Sequence, residues 1–421
     1  MSKEDLHELL LEMGEKARQA SYTLTTMPSN IKNECLLAMA DAIENAKDEI
    51  KEKNNIDLAA GEEKGLSAAM IDRLRLTDER IKAMADGLRV LTALEDPVGK
   101  ELEASIRPNG LKIEKRSVPI GVIGIIFESR PNVTVDAAGL CFKAGNAVIL
   151  RGGSEAIHSN KVLAHILNRT LLEKGMPDGI VQLVPFTDRV GVSIMCKLDK
   201  HIDLIIPRGG EGLINAVVTQ STIPVIKHYK GVCHQYVDKS ADLKMALEIV
   251  ENSKVQRPGV CNAIETLLIH EEILPEFAPM ISKTLKEDGV ELRADQKFKD
   301  TVNDVSLATE QDWYDEYLDL VIAIKTVGSV EEAITHINQY GSHHSDGIVA
   351  EDSTAIERFL NQVDSSTVYH NASTRFTDGS EFGMGCEIGI STDKLHARGP
   401  MGLPELTTYK YIVTGNGQIR S

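Results

Sequence analysis

The chain lacks any pair of cysteines at metal-binding or redox spacing. Its six, Cys35, Cys141, Cys196, Cys233, Cys261 and Cys386, are scattered over 421 residues without a C-x-x-C. That excludes a disulfide framework and a cysteine zinc site, and it fits a reducing compartment. Long apolar runs are missing as well. Val118–Phe127, the longest, has ten residues and includes a proline and two glycines, whereas a spanning helix needs about 20. The amphipathic stretch Met1–Ala20 carries Leu6, Leu9, Leu10 and Met13 on one face but has no signal-peptide core. The expected setting is the cytoplasm, with no membrane contact. There is no excess of positive charge either: 46 basic residues stand against 63 acidic ones, a net −17, which argues against a nucleic-acid partner. A small anionic substrate then needs basic residues gathered locally. Repeats and low-complexity segments are also absent.

What is present reads as α/β. The length exceeds what one core usually organises, so two domains are expected. Residues 1–95 carry apolar positions at helical spacing, as in Cys35, Leu36, Met39 and Ile43. Lys100–Arg116 holds Pro108-Asn109-Gly110 between alternating runs, a hairpin signature suited to an oligomerisation arm. From Val118 onward, strands alternate with helices: Val118–Phe127, Ala147–Leu150, helix Ser154–Lys174 with Ser154 as its cap, Ile180–Val184, helix Thr187–Leu198, Ile202–Ile206, helix Glu211–Gln220 and Pro224–His228. Such alternation predicts a parallel, doubly wound sheet that binds ligand at its strands' carboxyl ends. A second α/β unit follows, with helix Leu243–Ser253, strand Glu265–His270, helix Ile273–Asp288, strand Leu320–Lys325, helix Val330–Gln339 and strand Gly347–Ala350. The β-rich tail Thr407–Val413 suits sheet extension across a subunit boundary.

Chemistry concentrates in Val255–His270, V-Q-R-P-G-V-C-N-A-I-E-T-L-L-I-H. Cys261 follows a Pro-Gly turn and precedes an apolar run, a common way to present a nucleophilic thiol; a small core cysteine is the alternative. Two loops fall at strand ends, Arg151-Gly152-Gly153-Ser154 and Pro207-Arg208-Gly209-Gly210-Glu211-Gly212. Each opens a helix whose N–H groups could hold a phosphate, although neither is a Walker loop or a G-x-G-x-x-G. Singly they are as readily tight turns; paired in one sheet, each with an arginine, they favour a dinucleotide. Arg151 suits a 2′-phosphate.

Five ordered blocks carry a resemblance that covers essentially the whole chain: F-E-S-R-P-N-V at Phe127–Val133, K-A-G-N-A-V-I-L-R-G-G-S at Lys143–Ser154, Q-R-P-G-V-C-N-A at Gln256–Ala263, V-G-S-V-E-E-A-I-T-H-I-N-Q-Y-G-S-H-H-S-D-G-I at Val327–Ile348, and R-F-T-D-G-S-E-F-G-M-G at Arg375–Gly385. The sequence resembles the aldehyde dehydrogenase superfamily, and within it the γ-glutamyl phosphate reductase family. The resemblance implies a Rossmann-type NADPH domain (residues 1–99 and 118–231), an α/β catalytic domain (232–395) and a β-rich oligomerisation element (100–117 and 396–421). It implies reduction of L-glutamyl 5-phosphate by NADPH, with Cys261 as nucleophile and Asn132 and the Cys261 N–H as oxyanion donors. Arg257 would favour the thiolate. Cofactor contacts would come from Arg151, Gly152, Gly153, Ser154, Gly209 and Gly210, with Glu316 on the nicotinamide ribose. Arg130, Arg257 and Arg375 would receive the substrate's phosphate and α-carboxylate. The resemblance also implies a homo-oligomer, at least a dimer, and admits a complex with the upstream glutamate kinase.

Acid-forming aldehyde dehydrogenases keep a water-activating glutamate about thirty residues before the cysteine. The matching segment here, Val225–Tyr236, has no carboxylate, and His228 falls near that place. This favours a phosphorylating reductase over a semialdehyde dehydrogenase that makes an acid, although histidine can also act as a base. His343 and His344 have no third ligand at metal spacing, so they read as a hydrogen-bonding loop and no metal is expected.

Overall fold

The computed structural model describes residues 2–227 and 229–420. They form two compact units: Met1–Lys227 with Gly383–Gly389 and Met401–Ser421, and His228–Phe382 with Ile390–Pro400.

The first unit opens with helices α1 (Lys3–Leu24), α2 (Ser29–Asn45), α3 (Lys47–Glu63), α4 (Ala68–Leu74) and α5 (Asp78–Ala93). The helical spacing in α2 buries Cys35, Leu36, Met39 and Ile43, as the sequence predicts. Strands β1 (Glu101–Ile106) and β2 (Lys112–Pro119) make the expected antiparallel hairpin. Gly110 turns it with φ +86°, a backbone conformation that glycine adopts without strain. There follow β3 (Val122–Phe127), α6 (Val133–Lys143), β4 (Ala147–Arg151), α7 (Ile157–Glu173), β5 (Val181–Leu183), α8 (Val190–Met195), β6 (Leu204–Arg208) and α9 (Glu211–Gln220). These strands pair in parallel in the order β5-β4-β3-β6. Every residue of β3 and β4 is buried, as strands covered on both faces require. The strand order reverses at β3: β4 and β5 lie to one side, β6 to the other. The carboxyl ends of β3 and β6 therefore form the switch point of this sheet.

Two local expectations change. The strand at Pro224–His228 shrinks to a single parallel bridge between Val225 and Ile205. Proline supplies no ladder donor there, and His228 lies outside the described residues. Ser154 does not cap its helix: a 3-10 turn, Ser154–Ala156, leads in without a side-chain cap. Asp57 of α3 serves α7 instead, accepting from the His158 N–H (3.2 Å), the Ser159 N–H (2.7 Å) and the Ser159 hydroxyl (2.6 Å). A carboxylate thus meets the positive end of the helix.

The second unit contains β7 (Cys233–Val237), α10 (Leu243–Val255), β8 (Ile264–His270), α11 (Leu274–Glu287), β9 (Glu291–Ala294), α12 (Gln296–Thr301), β10 (Ser306–Leu307), β11 (Val321–Val327), α13 (Val330–Tyr340), β12 (Ser345–Val349), α14 (Ser353–Gln362) and β13 (Thr367–His370). Its seven strands pair in parallel in the order β10-β9-β11-β8-β7-β12-β13, which places β8 and β7 centrally. A short antiparallel ribbon, β14 (Ile390–Ser391) with β15 (Gly399–Pro400), completes it.

The tail forms β16 (Thr407–Thr414) in the first unit. Within its own chain β16 pairs antiparallel with β2, from Thr407 opposite Pro119 to Thr414 opposite Lys112. Every residue of β2 thus has a partner on β16, and Lys112–Arg116 pair with β1 as well, giving the sheet β1-β2-β16. No described helix is long and apolar enough to cross a membrane.

Candidate active site

In the second unit, α10 ends and the chain turns at Pro258-Gly259 before entering β8. A second turn, closed by the Ala263 N–H on the Val260 carbonyl (3.1 Å), carries Cys261. Its neighbours on either side fix it. The Asn262 amide donates to the Thr377 carbonyl (2.8 Å), and the Thr374 hydroxyl donates to the Asn262 carbonyl (2.7 Å). Cys261 itself is only partly buried, whereas Cys35, Cys141, Cys196 and Cys233 are buried. Burial pushes the Cys141 thiol well up and the Cys196 thiol to about 11, which suits inert core groups.

Gly231 lies directly beneath the turn. A Cβ there would come within 2.0 Å of the Cys261 carbonyl oxygen and 2.5 Å of its Cα. These are backbone atoms with no rotamer to yield. Gly231→Ala should therefore displace Cys261 and lower kcat by about 100-fold, since misplacements of roughly 1 Å at a reacting group cost that much. Iodoacetamide labelling of Cys261 at the parent's rate, together with unchanged kcat, would count against this packing. The same Gly231 donates its N–H to Glu316 Oε1 at 2.8 Å, so the predicted ribose glutamate is tied to the floor of the cysteine turn.

Arg375 comes to this turn from 114 positions away in sequence (375 − 261). Its Nε donates to Gln256 Oε1 (2.8 Å), and its Nη1 donates to Asn262 Oδ1. Burial, then the like charge of Arg257, lowers its pKa, while Asp378 and Cys261 act in the opposite direction. Two predicted substrate arginines, Arg257 and Arg375, are thus near enough to repel, beside the partly buried Cys261. An anion bound there relieves the repulsion.

Beneath the turn, the Cys233 thiol donates to the Cys261 carbonyl (3.2 Å), and burial holds it protonated. A hydrogen-bonded chain then runs from His344 Nδ1 to the Ser345 hydroxyl (2.9 Å), from that to Thr377 Oγ1 (2.7 Å), and from there to the Tyr369 hydroxyl (2.7 Å). His343 Nδ1 meets the Asp364 carbonyl at 2.5 Å. Both histidines are thus hydrogen-bonded, His344 to the next residue and His343 to the segment before β13, and among the described residues no three His, Cys, Asp or Glu side chains converge as a metal site.

The first unit places Asn132 just after β3, at the entrance to α6, where its amide nitrogen donates to Asp136 Oδ2 (2.8 Å). Arg130 is exposed in the loop before it. The glycine loops leave β4 and β6 on either side of β3. At the second, the Gly210 N–H donates to Glu128 Oε2 (3.0 Å), and a Cβ on Gly209 would meet that carboxylate at 2.4 Å. At the first, a Cβ on Gly152 would strike the Asn160 amide at 2.0 Å, so this glycine permits the strand to pack on α7. Gly153 lies against the Glu155 carboxylate, which accepts from the Ser129 N–H (2.5 Å) and hydroxyl (2.9 Å). Arg151 is buried, with Nη2 donating to the Thr187 carbonyl (2.9 Å) and Nε meeting no acceptor among the described residues. Burial lowers its pKa, while Glu155 and Glu128 raise it. Sequence reasoning passed over Glu128, Asp136, Gly231 and Cys233, although Glu128 stands inside a recognised block.

The profile of the aldehyde dehydrogenase family matches residues 7–311. A γ-glutamyl phosphate reductase from Halothermothrix orenii is 53% identical over 416 residues, 99% of this chain and 100% of that protein. The crystal structure of γ-glutamyl phosphate reductase from Thermotoga maritima is 46% identical, with a TM-score of 0.96 over 98% of this chain and 100% of that one. The chain belongs to the γ-glutamyl phosphate reductase family. An acetylating aldehyde dehydrogenase from Geobacillus thermoglucosidasius, 18% identical with a TM-score of 0.72 over 100% of this chain and 99% of that one, shares the fold. Membership makes the chain an oxidoreductase of the aldehyde dehydrogenase type.

Proposed function

We propose that the chain reduces L-glutamyl 5-phosphate with NADPH to L-glutamate 5-semialdehyde and phosphate, the second step of proline biosynthesis from glutamate, through a thioester on Cys261. The observation that carries this reading is a partly exposed thiol on a braced turn, with Arg257 and Arg375 beside it. The Cys261 thiolate adds to the acyl carbon, a C–S bond forms, and the acyl C–O bond breaks to release phosphate. The arginines neutralise the departing anion and orient the α-carboxylate. Asn132 and the Cys261 N–H donate to the oxyanion of the tetrahedral adduct. On collapse of the reduced adduct the C–S bond breaks, releasing the aldehyde and restoring the thiolate.

NADPH supplies the hydride. The first unit offers donors that fit a dinucleotide: the Gly209-Gly210 N–H groups at the switch point, and the Arg151-Gly152-Gly153-Ser154 loop with an unspent guanidinium N–H. Carboxylates already sit at both loops, so an anionic diphosphate would compete with Glu128 for the Gly210 donor. Glu316 would hold the nicotinamide ribose. In this reading the first unit carries the cofactor and the second the nucleophile. The chain acts as a homo-oligomer in the cytoplasm, with the β1-β2-β16 sheet as its interface.

The test runs the reaction backwards. With glutamate semialdehyde and NADP⁺, nicotinamide reduction should require inorganic phosphate. Equal rates without phosphate would instead support the acid-forming alternative, in which water takes the acyl group.

A further inference from the structure

Asp136 is an acid that the mechanism above does not use. It lies one helical turn beyond Asn132, four positions on, and therefore on the same side of α6. Its Oδ2 accepts from Asn132 Nδ2 at 2.8 Å. A side-chain amide presents two donors at one end and an acceptor at the other, and its partner decides which end faces where. Against an ionised carboxylate only the nitrogen end is tolerated. One N–H is then spent on Asp136, and the second is left to donate elsewhere. A protonated Asp136 removes that constraint, because its own O–H can donate to the amide oxygen of a flipped Asn132.

The surroundings of Asp136 come from three further segments of the first unit. Arg208, at the end of β6, places a positive charge near it. Gly87 of α5 leaves the space in front of it: a Cβ there would lie 3.9 Å from Asp136 Oδ1 and 3.5 Å from the Cys386 thiol, so the carboxylate and the thiol border the same space. Arg208 is itself held against Gly389, whose added Cβ would meet its Nη1 at 2.6 Å. Burial raises the Asp136 carboxyl to about 6, with the Asn132 hydrogen bond and Arg208 opposing.

We propose that Asp136 is a positioning residue for the reaction, holding the Asn132 amide with its nitrogen end turned to donate. This rests on Asn132 as the oxyanion donor. A purely structural Asp136, favourable only as an acid in the first turn of α6, would affect melting and leave the chemistry of the folded protein alone.

The experiment measures kcat, KM and melting temperature for Asn132→Ala, Asp136→Ala, Asp136→Asn and the Asn132→Ala/Asp136→Ala pair, from pH 5 to 8, in the phosphate-dependent assay. Asn132→Ala should lower kcat by about 10²–10³-fold. Asp136→Ala should lower it by about 10–100-fold, with KM little changed. The double variant should be no slower than Asn132→Ala alone, because the second deletion then has nothing left to orient. The parent's kcat should fall as the pH drops through about 6. Asp136→Asn keeps an acceptor but no titration, so it should recover part of the loss and flatten that fall. Full kcat in Asp136→Ala beside a slow Asn132→Ala overturns the proposal. So do additive losses in the pair, or an acid limb that persists in Asp136→Asn. An Asn132→Ala variant at full kcat sinks the oxyanion assignment itself, and the role of Asp136 with it.

Discussion

Cys261→Ser should reduce turnover by at least about 1,000-fold while leaving the melting temperature close to the parent's. The replacement is nearly isosteric, and the turn is braced by Asn262, Thr374 and the Gly231 backbone and not by the thiol. What changes is chemistry. A serine hydroxyl is scarcely ionised near neutral pH, and here it would need a general base to act as a nucleophile. An ester would also replace the thioester, and it yields less readily to hydride and releases a poorer leaving group. Mass spectrometry of the parent, quenched during a single turnover, should find the glutamyl adduct on the peptide containing Cys261. A serine variant with parent-like turnover, or an adduct on a different side chain, would overturn the covalent assignment.

The second large effect concerns an ion pair in the central strand next to that turn. Lys254 of α10 and Glu265 of β8 are both fully buried and meet at 2.6 Å. Glu265 Oε1 also accepts from the Leu318 N–H at 3.2 Å. Burial is the leading influence on both groups, raising Glu265 to about 7 and lowering Lys254, each offset in part by the partner's charge. Removing one member leaves the other buried and uncompensated, a loss of about 3–5 kcal/mol in comparable pairs. Glu265→Gln retains the acceptor for Leu318 and deletes only the charge, so it isolates that cost. Adding Lys254→Met should restore most of the stability. The single tryptophan, Trp313, is buried in the same unit and reports its urea unfolding by fluorescence. Equal midpoints for the single variant and the parent would show that the pair carries no such energy.

Glu265 reaches beyond Lys254 through its second carboxylate oxygen. Because Leu318 follows Glu316 and Tyr317 in the chain, the same residue also steadies the loop that reaches Gly231 under the cysteine.

The strands that could be read from the sequence were those buried on both faces. β3 and β4 are almost wholly apolar and β8 carries the run Leu267-Leu268-Ile269, and both their existence and their parallel pairing follow from that pattern. β7 escaped because it reads C-H-Q-Y-V. Its His234 and Gln235 are fully buried, so polar letters conceal a central strand. His234 is tolerated there through Asp346, which accepts from its backbone N–H at 2.7 Å and meets its Nδ1 at 3.0 Å. The start of α7 was misread for a different reason: Asp57, about a hundred positions earlier, supplies the capping carboxylate, and no local window contains it. Around Cys261 the motifs named the residues but not their arrangement. Arg375 reaches the turn only because β8, β12 and the segment after β13 converge, and the glycine that supports the cysteine lies thirty residues upstream in a stretch read only for its missing acid (261 − 231 = 30).

The first unit takes its last strand from the far end of the chain: β16 fills the edge of β2, and the Leu406 carbonyl accepts from the Asn146 amide beside β4 at 2.8 Å. Every segment of the second unit leaves the ribosome before that strand does. During synthesis, the half begun later therefore has its full complement of chain first, while the half begun earlier keeps an unpaired edge until β16 is made.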